Sequence, residues 1–152
     1  MENVLLHEGP QSVKQDAISK EFVFTGDAAS MVAARDSMMD FVREHCSSEQ
    51  EEIDIFLALQ EALANAVLHG CRSDPSKTVY AWIEIDPAAV TVVIRDPGAG
   101  FDLASVNGCA EDGINLGEHG RGICLMRSLM DDVSYRRGGS EVHLTKQRSA
   151  RH

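Results

Sequence analysis

Glu61 and Asn65 stand four residues apart in an amphipathic stretch, which puts both side chains on one helix face, one turn apart. A carboxylate in that position can take a proton from a hydroxyl or a water. The Asn oxygen beside it can ligate Mg²⁺, which prefers hard oxygen donors and keeps waters and phosphates in its shell. Ala58 and Ala62 keep the surrounding surface low, so a ligand can approach. The plain alternative is a solvated polar stripe. Against it, Leu68 continues the stripe, and polar groups embedded in an apolar face need a reason.

Two glycine clusters follow downstream. Asp96 closes the run Val90, Val92, Ile94 and keeps its parity, so it points to the core side of a strand. A carboxylate turned inward needs a donor, and an adenine amino group suits it; a turn-forming Asp before Pro97-Gly98 is the competing reading. Gly98 and Gly100 let the backbone approach a flat ligand. Gly120 and Gly122 open a second helix, where free amides and the helix dipole favour phosphate. A bare G-x-G says little by itself; its place before the helix of Ile123 to Met130 gives the phosphate reading its support.

The elements that must carry these groups can be read from pattern. Glu21 to Thr25 is a short strand, and Asp27 caps a helix over 28–45 with Met31, Ala34, Met38, Phe41 and Val42 on its apolar face. Ser48 with Glu51 starts a helix over 49–69. Its apolar flank reads as Ile53, Phe56, Leu57, Leu63, Ala64, Val67 and Leu68, with Gly70 as the C′ residue. After the turn Asp74-Pro75-Ser76, strands cover Thr78 to Ile85 and Ala89 to Arg95. Residues 97–118 are a long glycine-rich connection of the kind that serves as a functional lid. A helix over 120–131 with Ile123, Leu125, Met126 and Leu129 apolar precedes two closing strands, turned by Gly138-Gly139. Helices before a run of antiparallel strands predict a two-layer α+β sandwich with a mixed, mostly antiparallel sheet and helices on one face. The organisation expected is a lead-in over 1–20, one domain over 21–147 and a tail over 148–152.

Composition narrows the partners. A chain of 152 residues is long enough to bury one core. The net charge of −10 argues against a broad nucleic-acid surface, although a local site of backbone amides and a metal ion can still hold a nucleotide. No apolar run approaches the roughly 18 residues that span a bilayer, and Met1 to His7 lacks a signal-peptide pattern. A cytoplasmic protein with no membrane contact is expected. Cys46, Cys71, Cys109 and Cys124 have no C-x-x-C pairing and read as four reduced thiols. His69 reads as a surface or capping residue, and His45 and His143 lack suggestive partners. P-loop, kinase H-R-D and G-x-S-x-G signatures are missing.

Together these motifs resemble the GHKL ATPase superfamily, whose ATP site is the Bergerat fold. Glu61 and Asn65 match its N box, Asp96 to Gly100 its first glycine box, and Gly120-Arg121-Gly122 its second. More narrowly, Leu59 to Val67 and Gly122 to Val133 look like bacterial anti-sigma factor serine kinases. The resemblance implies ATP and Mg²⁺ as cofactors, Glu61 as general base toward a substrate serine, Asn65 as the Mg²⁺ ligand and Asp96 as the adenine reader. Gly98, Gly100, Gly120 and Gly122 would shape the pockets, and residues 101–119 would be the ATP lid. It further implies a homodimer that binds a sigma factor and phosphorylates a small anti-sigma antagonist protein. Some kinases of this branch place an arginine just before the second glycine box. Glu118-His119 stands there in this chain, which leaves Arg121 as the neighbouring cation.

Two alternatives accompany the kinase reading: a sequestration module that uses nucleotide only as a conformational ligand, and a detached catalytic domain of a sensor histidine kinase. No helix carrying a phospho-acceptor His precedes the domain, which disfavours the last.

Overall fold

Alternating apolar residues set the sheet. A computed structural model describes residues 16–46, 48–102 and 118–148. β1 (Ile18–Thr25), β2 (Thr78–Ile85), β3 (Ala89–Arg95), β4 (Asp132–Arg136) and β5 (Glu141–Gln147) form one sheet in the order β1-β2-β3-β5-β4. Every pairing among these strands is antiparallel, so the mixed sheet expected from sequence is not found among the described residues. The connections explain this. Two helices between β1 and β2 return the chain in the opposite direction. The single helix between β3 and β4 does run those strands parallel, but β5 lies between them.

The helices are α1 (Ala28–His45), α2 (Glu49–Asn65) and α3 (Glu118–Leu129). Asp27 caps α1, its carboxylate accepting from the Ser30 N–H at 3.1 Å, and Ser48 Oγ accepts from the Glu51 N–H at 3.3 Å. Both caps match the sequence reading. The core lies between the helices and one face of the sheet. Met38, Val42, Leu59, Leu63, Ile123 and Met126 meet Val79, Ile83, Val92, Ile94 and Leu144, all buried. Each Leu or Ile removed from water here contributes about 1.5–3 kcal/mol.

Two expected apolar faces are borne out only in part: Leu63, Val67, Ile123 and Met126 are buried, while other members of the same faces point to solvent. Ile53, Leu57 and Leu68 are exposed, and α2 buries Ile55, Ala58, Leu59, Ala62 and Leu63 instead. The helix has neighbours on both flanks. Arg35 of α1 lies over the Phe56 ring and donates to Gln60 Oε1 at 2.9 Å, and α3 packs on the other side. Only the outward ridge of α2 remains free, and Ile53 and Leu57 fall on it. Leu125 of α3 is likewise exposed. β1 starts at Ile18, three residues inside the expected lead-in. Cys124 is disulfide-bonded, so the four-thiol reading fails there; Cys46 and Cys71 are free.

Candidate functional site

The end of α2 does not stop cleanly. Ala66–Gly70 form a π-helical turn, closed where the Cys71 N–H donates to the Ala66 carbonyl at 2.8 Å. Single π turns recur at functional sites because they re-aim the side chains that follow. Gly70 is not the left-handed C′ residue expected from sequence, since positive φ falls on Arg72 and Ser73 instead. Gly70 has a different reason to be glycine: a Cβ there would run into the Asp96 carboxyl group.

That contact begins a chain of close approaches. Gly98 lies under Gly70, where a Cβ would stand 2.8 Å from the Gly70 carbonyl oxygen. The Gly98 N–H donates to Asp96 Oδ1 at 2.8 Å, and the Asp96 N–H donates to the Ser140 carbonyl at 2.9 Å. Gly100 has φ +82°, and a Cβ on it would collide with the Gly138 carbonyl. A β-strand end, a helix end and the β4–β5 turn therefore meet backbone to backbone.

Above this floor is a cleft that is partly open to solvent. Asn65 and His69 line it from the α2 end, Asp96 and Gly100 from the first glycine cluster, Tyr135 from β4 and Ser140 from the β4–β5 turn. Burial pushes the Asp96 carboxyl up to about 6, opposed by the Gly98 hydrogen bond. A carboxylate has about four lone-pair sites, so Asp96 retains accepting capacity for a ligand donor beyond the bond from Gly98.

Glu61 is not in the cleft wall but beside it. A Cβ on Gly122 would stand 2.6 Å from Glu61 Oε1 and 3.5 Å from Asn65 Nδ2. The second glycine cluster thus rests directly on the acid–amide pair. Asn65 Nδ2 is buried with no hydrogen-bond partner in the structure, an expensive state for an amide. A half-turn of the amide puts Oδ1 in the same place, and a hard cation ligated there would satisfy the group. The donor chemistry fits Mg²⁺.

α3 begins at Glu118, two residues earlier than expected. Gly120 and Arg121 fall within its first four residues, whose amides lack intrahelical acceptors, while Gly122 lies one residue past them. Close packing on Glu61, rather than a free amide, is therefore what Gly122 supplies. Arg121 is exposed and does not line the cleft. Of the expected site, Asn65, Asp96 and Gly100 meet on one cleft, with Glu61, Gly98 and Gly122 in direct support. The expected lid over 101–119 falls mostly outside the described residues.

Among the wall residues that sequence reasoning did not place in the site are His69, Tyr135 and Ser140, and Phe101 was expected only as the start of the lid. Tyr135 shares the inward parity of Val133, and Phe101 directly follows the glycines, so both carried a weak signal. His69 reaches the cleft through the π turn, which no local pattern announces.

A family model described as a histidine kinase-like ATPase domain matches residues 24–146. The chain belongs to that family. An anti-sigma F factor of Bacillus cytotoxicus is 31% identical over 118 residues, covering 74% of this chain and 81% of the relative. An anti-sigma F factor of Bacillus licheniformis is 28% identical over 131 residues, covering 83% and 90%. One from Bacillus thuringiensis is 30% identical over 118 residues, with 74% and 81% covered. The α+β arrangement, a sheet with helices on one face, is consistent with this ATPase family.

Proposed function

We propose that this chain is an ATP-dependent protein serine kinase of the anti-sigma type. In this reading it binds a sigma factor and phosphorylates a small anti-sigma antagonist protein. The observation that carries it is the packing of Gly122 on Glu61 and Asn65, which sets the acid–amide pair and the second glycine cluster beside the cleft that Asn65, Asp96 and Gly100 line. The relatives named anti-sigma F factor support the same direction.

Asp96 would accept a hydrogen bond from the adenine amino group, and Gly98 and Gly100 would let the base lie close to the backbone. Asn65 Oδ1 would hold Mg²⁺, which when bound neutralises phosphate charge. Glu61 would take the proton from the substrate serine hydroxyl as that oxygen attacks phosphorus and the bond to the leaving diphosphate breaks. Gly120 and Arg121, in the first turn of α3, would supply amides and a cation near the phosphates. Phosphoryl transfer asks mainly for positioning and charge stabilisation, and these groups provide both. A homodimer acting in the cytoplasm completes the reading. No helix among the described residues is long and apolar enough to cross a membrane.

The test is transfer of labelled phosphate from ATP to a small anti-sigma antagonist protein. Wild type should label a serine, and Glu61→Gln should lower the rate by about 10²-fold or more while ATP still binds. ATP binding with no labelled serine would replace the kinase by a nucleotide-dependent sequestration module.

A further inference from the structure

β5 carries Val142 and Leu144 on the face turned to the helices, and Lys146 follows them with the same parity. Pattern alone calls for an apolar residue there. The lysine instead reaches two helices. Its Nζ donates to the Leu129 carbonyl at 2.8 Å and lies 3.0 Å from Asp54 Oδ2. The two side chains of that ion pair are only 17% and 14% exposed. Leu129 is the last residue of α3, so its carbonyl has no intrahelical donor, and Asp54 belongs to α2. One cation therefore joins the end of α3, the flank of α2 and the sheet. Backbone bonds hold the same end in place. The Asp131 N–H donates to the Thr145 carbonyl at 2.9 Å, and the Gln147 N–H donates to Asp131 Oδ2 at 2.7 Å.

The two helices meet again near the start of α3, where Gly122 packs on Glu61. Seven residues separate Asp54 from Glu61 on α2, and seven separate Gly122 from Leu129 on α3. At 1.5 Å per residue both spans are about 10 Å. The helices thus run antiparallel in matched register, with Lys146 at one end of the seam and Glu61 at the other. Positions seven apart also share a helix face. A shift where Lys146 holds α3 is therefore carried along the helix to Gly122. Stability explains the lysine poorly. Desolvating two charges offsets much of their attraction, and well-packed apolar residues of similar volume often hold a fold as well or better.

We propose that Lys146 is a positioning residue for Glu61. By pinning α3 to Asp54 of α2, it sets how Gly122 meets the Glu61 carboxylate two turns away. Its consequence for phosphoryl transfer rests on the kinase reading above.

The double variant Asp54→Leu with Lys146→Met tests this, because it removes both charges and leaves neither buried alone. Amide resonances of the full chain, isotope-labelled at glycine, should show Gly122 moved while Gly98 and Gly100 stay in place. The urea midpoint should equal that of wild type or rise. The kcat for transfer from ATP to the antagonist protein should fall by about 10- to 100-fold, with ATP affinity unchanged because the Asp96 end is untouched. Lys146→Met alone should lose transfer as the double variant does and lose stability as well, since Asp54 then stays buried without its cation. A purely structural lysine would give the reverse pattern: a lower urea midpoint in the double variant and wild-type kcat per folded molecule. That pattern would overturn the proposal, as would an unmoved Gly122 resonance in the folded double variant. If wild type transfers no phosphate and Gly122 still moves, the kinase reading fails and the pin between α2 and α3 stands.

Discussion

The two ends of the cleft are built in different ways. At the Asp96 end, glycines press backbone against backbone: Gly98 on Gly70, and Gly100 on Gly138. At the Glu61 end, Gly122 presses on the tip of a flexible side chain, Glu61 Oε1. Backbone contacts cannot relax without moving whole elements, whereas a carboxylate can rotate away. The first end is therefore a rigid floor suited to recognising a fixed shape. The second is adjustable, which suits the role proposed for Glu61 as a base.

Gly100→Ala should separate the two ends most strongly. The left-handed φ costs a non-glycine residue about 1–2 kcal/mol, and displacing the Gly138 carbonyl adds overpacking of about 1–3 kcal/mol. Urea unfolding should show a loss of about 2–5 kcal/mol, a large share of a typical domain's 5–15 kcal/mol. A loss below 1 kcal/mol would mean that the floor is not rigid.

The pH response comes next in size. Asp96 is held near 6 by burial, and only its ionised form accepts from an amine without donating a proton of its own. Nucleotide affinity should therefore fall as pH drops through 6, by about tenfold between pH 7.5 and pH 5. The linkage to folding has the opposite sign. A carboxyl group whose pKa is raised on folding stabilises the fold below its unfolded pKa, near 3.9, and that contribution is lost as pH rises through about 6. Asp96→Asn should thus abolish ATP binding while leaving the melting temperature at pH 7.5 equal to wild type or higher. A pH-independent ATP affinity between 5 and 7.5 would detach Asp96 from the ligand.

The rigid floor was only half legible in the sequence. Local signals were reliable where neighbours along the chain decide: the caps at Asp27 and Ser48, and the bounds of α1, β2 and β3 follow from capping, alternation and turn residues. The inward parity of Asp96 belongs to the same class. What could not be read depends on packing between distant segments. Gly70 looked like a helix stop and is instead the space that Asp96 requires. Ile53 and Leu57 looked like core and face solvent, because α2 is flanked on both sides; Leu68 on the π turn and Leu125 on α3 are exposed as well. The π turn that brings His69 to the cleft, and the meeting of Phe101 with Tyr135, involve no short-range pattern at all.

A smaller effect should come from Gly138→Ala. Gly138 has φ +70°, but the space around its would-be Cβ is open, with the nearest atom, the Ala99 carbonyl oxygen, at 4.0 Å. Only the left-handed backbone is penalised, so about 1–2 kcal/mol should be lost. Gly138→Asn should recover part of it, since Asn tolerates that region. Thermal melts of the two variants check this. Equal losses at Gly138 and Gly100 would erase the distinction between conformational strain and backbone collision.

The least change in stability, and the sharpest contrast, is expected at Gly122→Ala. An alanine inside a helix gains about 0.5–1 kcal/mol over glycine. Its Cβ would then stand 2.6 Å from Glu61 Oε1, close enough that the carboxylate must rotate but not the backbone. The two effects nearly offset, and the melting temperature should stay within about 2 °C of wild type. Phosphoryl transfer should nevertheless fall by about 10²-fold, because a base moved from its hydrogen-bond distance no longer takes the serine proton. ATP affinity should be preserved, since the Asp96 floor is untouched. A variant that loses transfer and keeps both stability and binding would place the chemistry at the adjustable end. One that loses ATP binding as well would show that the two ends form a single rigid unit.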